Sequence, residues 1–176
     1  WTNQGDGTFS SSTTLVVGRY HPVVLDDAVG KDDIVWVRPE GGPGTVWSFE
    51  GGGAYLNTPF TAAAGARPLT GFFDGGVCAD LFWYAPGPAP DSLWSMNCAG
   101  LPGSVVPQTV NGTYWPTVER YSPNGDGFDD ILWYRFPGLS SLWASNGDGT
   151  WSGSTHDIPL LGLPIPASRT YGFAHI

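Results

Sequence analysis

The sequence predicts an all-β fold: a β-propeller-type array of four-stranded antiparallel blades, about three and a half repeats of ~48 residues. Three observations predict it. Gly 26 and Pro 16 together fill close to a quarter of the 176 residues, a density that long helices do not survive. Apolar runs of four to seven residues, rich in Val, Ile, Trp, Tyr and Phe, are bounded by Gly, Pro, Asn and Asp, as strands are. Above all, the chain repeats itself.

The central element of the repeat is Asp33-Ile34-Val35-Trp36-Val37-Arg38, then Asp80-Leu81-Phe82-Trp83-Tyr84-Ala85, then Asp130-Ile131-Leu132-Trp133-Tyr134-Arg135. A second element follows at a fixed offset: Val46-Trp47-Ser48, Leu93-Trp94-Ser95, Leu142-Trp143-Ala144. A third precedes it: Gly18-Arg19-Tyr20, Gly71-Phe72-Phe73, Glu119-Arg120-Tyr121. In the central segment Ile34 and Trp36 share one face and Val35 and Val37 the other. Both faces are apolar, so this strand is expected to be covered on both sides. Four strands are expected per repeat, starting near residues 15, 33, 45 and 59 in the first. Stacked four-stranded units of this kind are what propeller blades require. Pro86-Gly87-Pro88-Ala89-Pro90 would close the hairpin of the second copy and Pro137-Gly138 that of the third.

The ends are out of phase. Trp1 to Ser10 matches Trp143 to Ser152, and Tyr171-Gly172-Phe173-Ala174-His175-Ile176 resembles the opening of a further repeat. The expected organisation is a single propeller-type domain or fragment, with repeats over 1–13 (partial), 14–66, 67–115, 116–166 and 167–176 (partial). A chain beginning at Trp1 reads either as a mature chain whose targeting segment has been removed or as a piece of something longer.

Composition narrows the function. Lys+Arg 7 against Asp+Glu 16 gives a net charge of −9, which argues against a grip on nucleic-acid backbones. No apolar run approaches the ~20 residues of a membrane-spanning helix. With 41% hydrophobic and 14% aromatic residues, the chain has the means to fold and is no disordered acidic tail.

Ser122-Pro123-Asn124-Gly125-Asp126-Gly127-Phe128-Asp129-Asp130 and the apolar strand after it resemble the FG-GAP/VCBS repeat family, found in integrin α-chain propellers, fungal propeller lectins and secreted bacterial proteins. The repeats spread the resemblance over essentially the whole chain, but the loop itself is well matched only in the third copy. The resemblance implies a β-propeller and one Ca²⁺ site. Its ligands would be Ser122, Asn124, Asp126, the carbonyl of Phe128, and Asp130, since Ca²⁺ takes six to eight hard oxygens that a tight turn can aim inward. Ser122 stands where the family usually has Asp. The alternative is a metal-free turn whose Asp130 binds backbone amides. The first copy, His21 to Asp33, reads as a degraded loop with an acidic cluster, and the second, Asp74 to Asp80, keeps only two carboxylates. Because Asp33, Asp80 and Asp130 persist in every copy, a backbone-capping role common to all blades is expected of them.

Cys78 and Cys98 flank the second hairpin symmetrically about Pro88. They would face each other across its open end, where a disulfide is geometrically feasible. A disulfide implies an oxidising, extracytoplasmic setting; two buried free thiols are the alternative.

Aromatic faces suit sugar C–H surfaces. Those that recur (Trp36, Trp83, Trp133 and Trp1, Trp47, Trp94, Trp143) read as packing between blades, which leaves Tyr55, Trp115 and Trp151 as ligand-site candidates. Catalysis is not expected: His21, His156 and His175 form no metal-ligand pair, and neither a nucleophile elbow nor a phosphate loop is present. Asn111-Gly112-Thr113 is a glycosylation sequon, meaningful in a eukaryotic secretory host. The expected function is a secreted, non-catalytic binding or adhesion module, lectin-like towards glycans or another cell-surface ligand. One rival is a structural subunit assembling into a ring or filament by strand complementation. Another is a binding appendage of a larger secreted enzyme or toxin. No nucleic acid and no membrane insertion are expected.

Overall fold

The punctuated apolar runs form strands, and no described residue is helical. The computed structural model describes residues 2–3, 6–10, 13, 15–26, 32–51, 54–120 and 126–156. A short hairpin, β1 (Thr2–Asn3) and β2 (Phe9–Ser10), comes first. Three four-stranded antiparallel meanders follow. The first sheet holds β3 (His21–Leu25), β4 (Asp33–Val37), β5 (Gly42–Gly51) and β6 (Ala54–Ala62). The second holds β7 (Arg67–Gly71), β8 (Asp80–Tyr84), β9 (Asp91–Met96) and β10 (Pro102–Gln108). The third holds β11 (Trp115–Glu119), β12 (Asp130–Tyr134), β13 (Ser140–Ser145) and β14 (Trp151–His156). Among the described residues the sheets form no closed ring.

The three sheets share one register. Ile34 pairs with Trp47, Leu81 with Trp94, and Ile131 with Trp143. Opposite the central tryptophan sits a proline each time: Pro22 by Trp36, Pro68 by Trp83, Pro116 by Trp133. These prolines lie on the edge strands β3, β7 and β11, where a missing N–H costs no ladder bond if it faces outward. The terminal match also holds in structure. Thr2 pairs with Ser10 and Asn3 with Phe9, as Ala144 pairs with Ser152 and Ser145 with Trp151. Asp6 and Asp148 each accept bonds from the N–H and hydroxyl of the threonine two residues on, Thr8 and Thr150.

Two expectations need correction. The opening strand of the first sheet is His21–Leu25, whereas Leu15 and Val17 stand 82% and 75% exposed outside any strand. The segment read as a degraded loop is therefore half strand. Val23 and Leu25 point into the core, and burying them outweighs the loop-like spelling of the sequence. Nor are all central strands covered on both sides. All five residues of β8 are buried, but β4 buries only alternate residues.

That pattern follows from stacking. Each sheet has an indole face and an opposite face. The opposite face of the first sheet (Val35, Val37, Val46) packs on the indole face of the second (Leu81, Trp83, Met96). Phe82, Tyr84 and Leu93, on the opposite face of the second, pack in turn on Ile131 and Trp133 of the third. Among the described residues only the middle sheet is sandwiched. Within each sheet two indoles meet edge-on: Trp36 with Trp47 at 5.1 Å, Trp83 with Trp94 at 5.5 Å, Trp133 with Trp143 at 5.2 Å. Trp83, Trp94, Trp133 and Trp143 thus pack between sheets, as expected. Trp36 and Trp47 meet each other on the outer face of the first sheet and join neither inter-sheet cluster, and Trp1 lies outside the described residues. The edge strand β7 lies against both β3 and β11.

The repeated aspartates cap backbone amides, also as expected. Asp33 accepts the Phe49 N–H (3.1 Å), Asp80 the Met96 N–H (3.0 Å) and Asp130 the Ser145 N–H (3.0 Å). Each bond ties the start of the second strand of a sheet to the far part of the third. Asp80 goes further: its other oxygen accepts the N–H groups of Phe73 (2.9 Å) and Asp74 (3.1 Å). Beside it, Cys78 and Cys98 form a disulfide with Cα atoms 5.4 Å apart, closing the open end of the hairpin.

Truncating Asp80 would leave three amides without their acceptor, two of them deeply enclosed. The variant Asp80→Ala is expected to lose about 2–4 kcal/mol in urea unfolding. Glu40→Ala, at an exposed turn, should stay within about 0.5 kcal/mol of the parent. Equal midpoints for the two variants would contradict the capping role.

Candidate functional site

Turn chemistry at the seam between the second and third sheets builds a concavity. After β13 the chain turns through Asn146-Gly147-Asp148-Gly149-Thr150 and returns as β14. Gly147 has φ +74, and a Cβ there would fall inside the Phe128 ring, so only glycine fits. The turn is anchored on the second sheet: Gly149 N–H donates to the Phe73 carbonyl (3.2 Å), and Ser145 Oγ donates to the same carbonyl (2.8 Å). Asp129 N–H donates to the Phe72 carbonyl, and its carboxylate accepts the Phe72 N–H (2.9 Å) and Arg120 Nε (3.2 Å).

These bonds hold open a cleft of about 380 Å³ lined by Val106, Gln108, Trp143, Gly149, Thr150, Trp151 and Gly153. Trp151 leans on Trp143 (5.8 Å), Phe73 (5.2 Å) and Phe82 (6.0 Å), which fixes the indole against the seam. The lining has an aromatic wall, an amide and a hydroxyl, and no charged side chain. Such a surface suits a neutral, polyhydroxylated ligand with an apolar C–H face.

The three aromatic candidates stand apart. Trp151 is in the cleft. Tyr55 is stacked on Trp47 at 4.3 Å and 18°, on the indole face of the first sheet. Trp115 opens β11, 56% exposed, beside Tyr134 on the opposite face of the third sheet. Tyr55 and Trp151 nonetheless occupy equivalent register positions, opposite Phe49 and Ser145, two residues past Trp47 and Trp143. Sequence reasoning missed Val106 and Gln108, because Ser104-Val105-Val106-Pro107-Gln108 has no counterpart that marks it as a wall.

Of the expected Ca²⁺ ligands, Ser122 and Asn124 lie outside the described residues. Asp126 is exposed and its Oδ1 accepts the Phe128 N–H (3.0 Å). Asp130 is only 2% exposed, and its Oδ2 has no hydrogen-bond partner. Burial raises the Asp130 carboxyl above its ordinary value, and Asp126 and Asp129 add to the rise. A buried carboxylate oxygen without a donor, beside other carboxylates, is what a hard cation would satisfy, so the described part of the set fits Ca²⁺. Among the described residues no three His, Cys, Asp or Glu side chains gather into a metal cluster. In the second sheet the loop amides of Phe73 and Asp74 already fill the corresponding place on Asp80.

The histidines lie apart: His21 is on β3 opposite Val37, His156 on β14 opposite Ser140, and His175 outside the described residues. No protein-family model, no curated protein and no solved structure matches the chain.

Burial pushes Asp80 from 3.8 up to about 6, against the opposing pull of its three amide bonds. The folded chain then keeps this proton up to about pH 6, whereas the unfolded chain releases it near pH 4. Its contribution to stability therefore falls as pH rises from about 4 to 6 and stays low above that. Subtracting the urea-unfolding profile of Asp80→Asn from that of the parent should leave such a slope, on the order of 2–3 kcal/mol in total. A flat difference would show that the carboxylate is as well solvated as in the unfolded chain.

Proposed function

We propose that the chain is a secreted, non-catalytic glycan-binding module whose three sheets are blades of a β-propeller, with its ligand seated in the Trp151 cleft. The observation that carries this reading is the cleft itself: an aromatic wall and two neutral polar groups at a seam between sheets. Support for the blade arrangement comes from the shared register of the sheets and from β7 lying between β3 and β11, as innermost strands do around an axis. The disulfide is consistent with an extracellular setting. Ca²⁺ would be held by Ser122, Asn124, Asp126, the Phe128 carbonyl and Asp130. It would stiffen the loop ahead of β12 without touching the ligand.

The strand-complementation rival has less in its favour. Pro22, Pro68 and Pro116 sit on one edge of the sheets, and Pro59 and Pro107 on the other edge of the first two. Prolines on edges discourage an added strand.

A glycan-array screen tests the reading. Selective binding to neutral glycans is expected, weakened at least tenfold, about 1.4 kcal/mol, by Trp151→Ala and unaffected by Trp115→Ala. No binding by the folded parent, or equal binding by both variants, would contradict it. The cation is tested separately by melting. Millimolar Ca²⁺ should raise the melting temperature of the parent relative to EDTA, and Asp126→Asn should abolish that rise while matching the parent in EDTA. A Ca²⁺ effect that survives Asp126→Asn would remove the loop from the account.

A further inference from the structure

Among the described residues the stack leaves two faces uncovered, one of each kind. The first sheet leaves its indole face open, with Trp36 and Trp47 half-buried, Val24 39% exposed and Phe49 41% exposed. On the third sheet it is the opposite face that is open, with Leu132 and Tyr134 half-buried beside the exposed Trp115. Between sheets one and two, and again between two and three, the chain joins an opposite face to an indole face in the same register. In the first joint Phe60 meets Trp83 at 5.3 Å, and in the second Phe82 meets Trp133 at 5.5 Å.

We propose that the open indole face of the first sheet docks on the open opposite face of the third sheet of a second copy, repeating the internal joint head to tail. A second copy is the occupant because each chain presents both halves of a joint that the chain already makes twice. Such a contact is heterologous, so it closes a ring or extends a row rather than forming an isolated pair. It also completes a site. Trp47 and Tyr55 hold the positions that Trp143 and Trp151 hold at the cleft, but among the described residues they lack the covering strand that β10 supplies there. In the assembly β14 of the second copy takes the place of β10, and the joint gains a second aromatic cleft. This inference stands whether or not the Trp151 cleft binds a glycan.

Native mass and sedimentation over a roughly hundredfold concentration range test it. The parent should shift from one chain mass to multiples, more so with added salt, which screens the repulsion between copies of net charge −9. Phe49→Glu and Trp115→Glu each spoil one face at an exposed position, so each should stay at one chain mass with its near-ultraviolet dichroism unchanged. Mixed together, the two variants retain one good pair of faces and should form a two-chain species and nothing larger. A parent that stays at one chain mass throughout would overturn the proposal, leaving the short hairpin of β1 and β2 or another part of the chain as the cover of the indole face. Variants that assemble as the parent does would overturn it as well.

Discussion

A carboxylate buried at the first residue of each second strand holds the repeat together. Asp33, Asp80 and Asp130 are at most 4% exposed, and each accepts an amide N–H from the third strand of its own sheet. Burying a carboxylate is costly unless its oxygens find donors. A sheet therefore forms with its third strand in one register, since a slip would leave both the anion and the amide unpaired. The copies differ in what meets the second oxygen. Loop amides do so at Asp80, while Asp130 Oδ2 lacks a hydrogen-bond donor. One scaffold element thus gives a self-sufficient cap in the middle sheet and, in the third, a buried carboxylate oxygen without a donor.

With register set, the two faces of each sheet acquire different chemistry. Paired indoles on one side and smaller apolar groups or single rings on the other make a joint that can be repeated without redesign. Recurrence then marks the positions that the common packing uses. Trp133 and Trp143 belong to the joint and have partners in every copy. Trp151 and Tyr55 share a position that the second sheet fills with Pro102, opposite Met96, so they answer to something other than the common core. Only Trp151 is met by a covering strand within the described chain, which is why the cleft is at that seam.

Much of this was legible in the sequence. Asp-aliphatic-X-Trp marked β4, β8 and β12, the turns at Pro86–Pro90 and Pro137-Gly138 fell where hairpins close, and the symmetric cysteines met. The first strand of the first sheet was not legible, because its aligned signal is a single proline opposite a tryptophan, whereas Leu15-Val16-Val17 looks more strand-like and lies outside the core. Coverage of the central strands was overestimated, since identical apolar alternation in β4 and β8 cannot reveal which sheet has two neighbours. The cleft wall on β10 was invisible for a related reason: Val106 and Gln108 gain their role from a seam between repeats, not from anything within one.

The most direct measurement is native-state hydrogen exchange at three amides, Phe49, Met96 and Ser145. If the buried aspartates organise the sheets, all three should exchange as slowly as the paired amides of β8 in the sandwiched sheet, through global unfolding. Exchange at these three as fast as at the exposed turns would contradict the account, because the amides would then open without disturbing the fold that the carboxylates are said to hold.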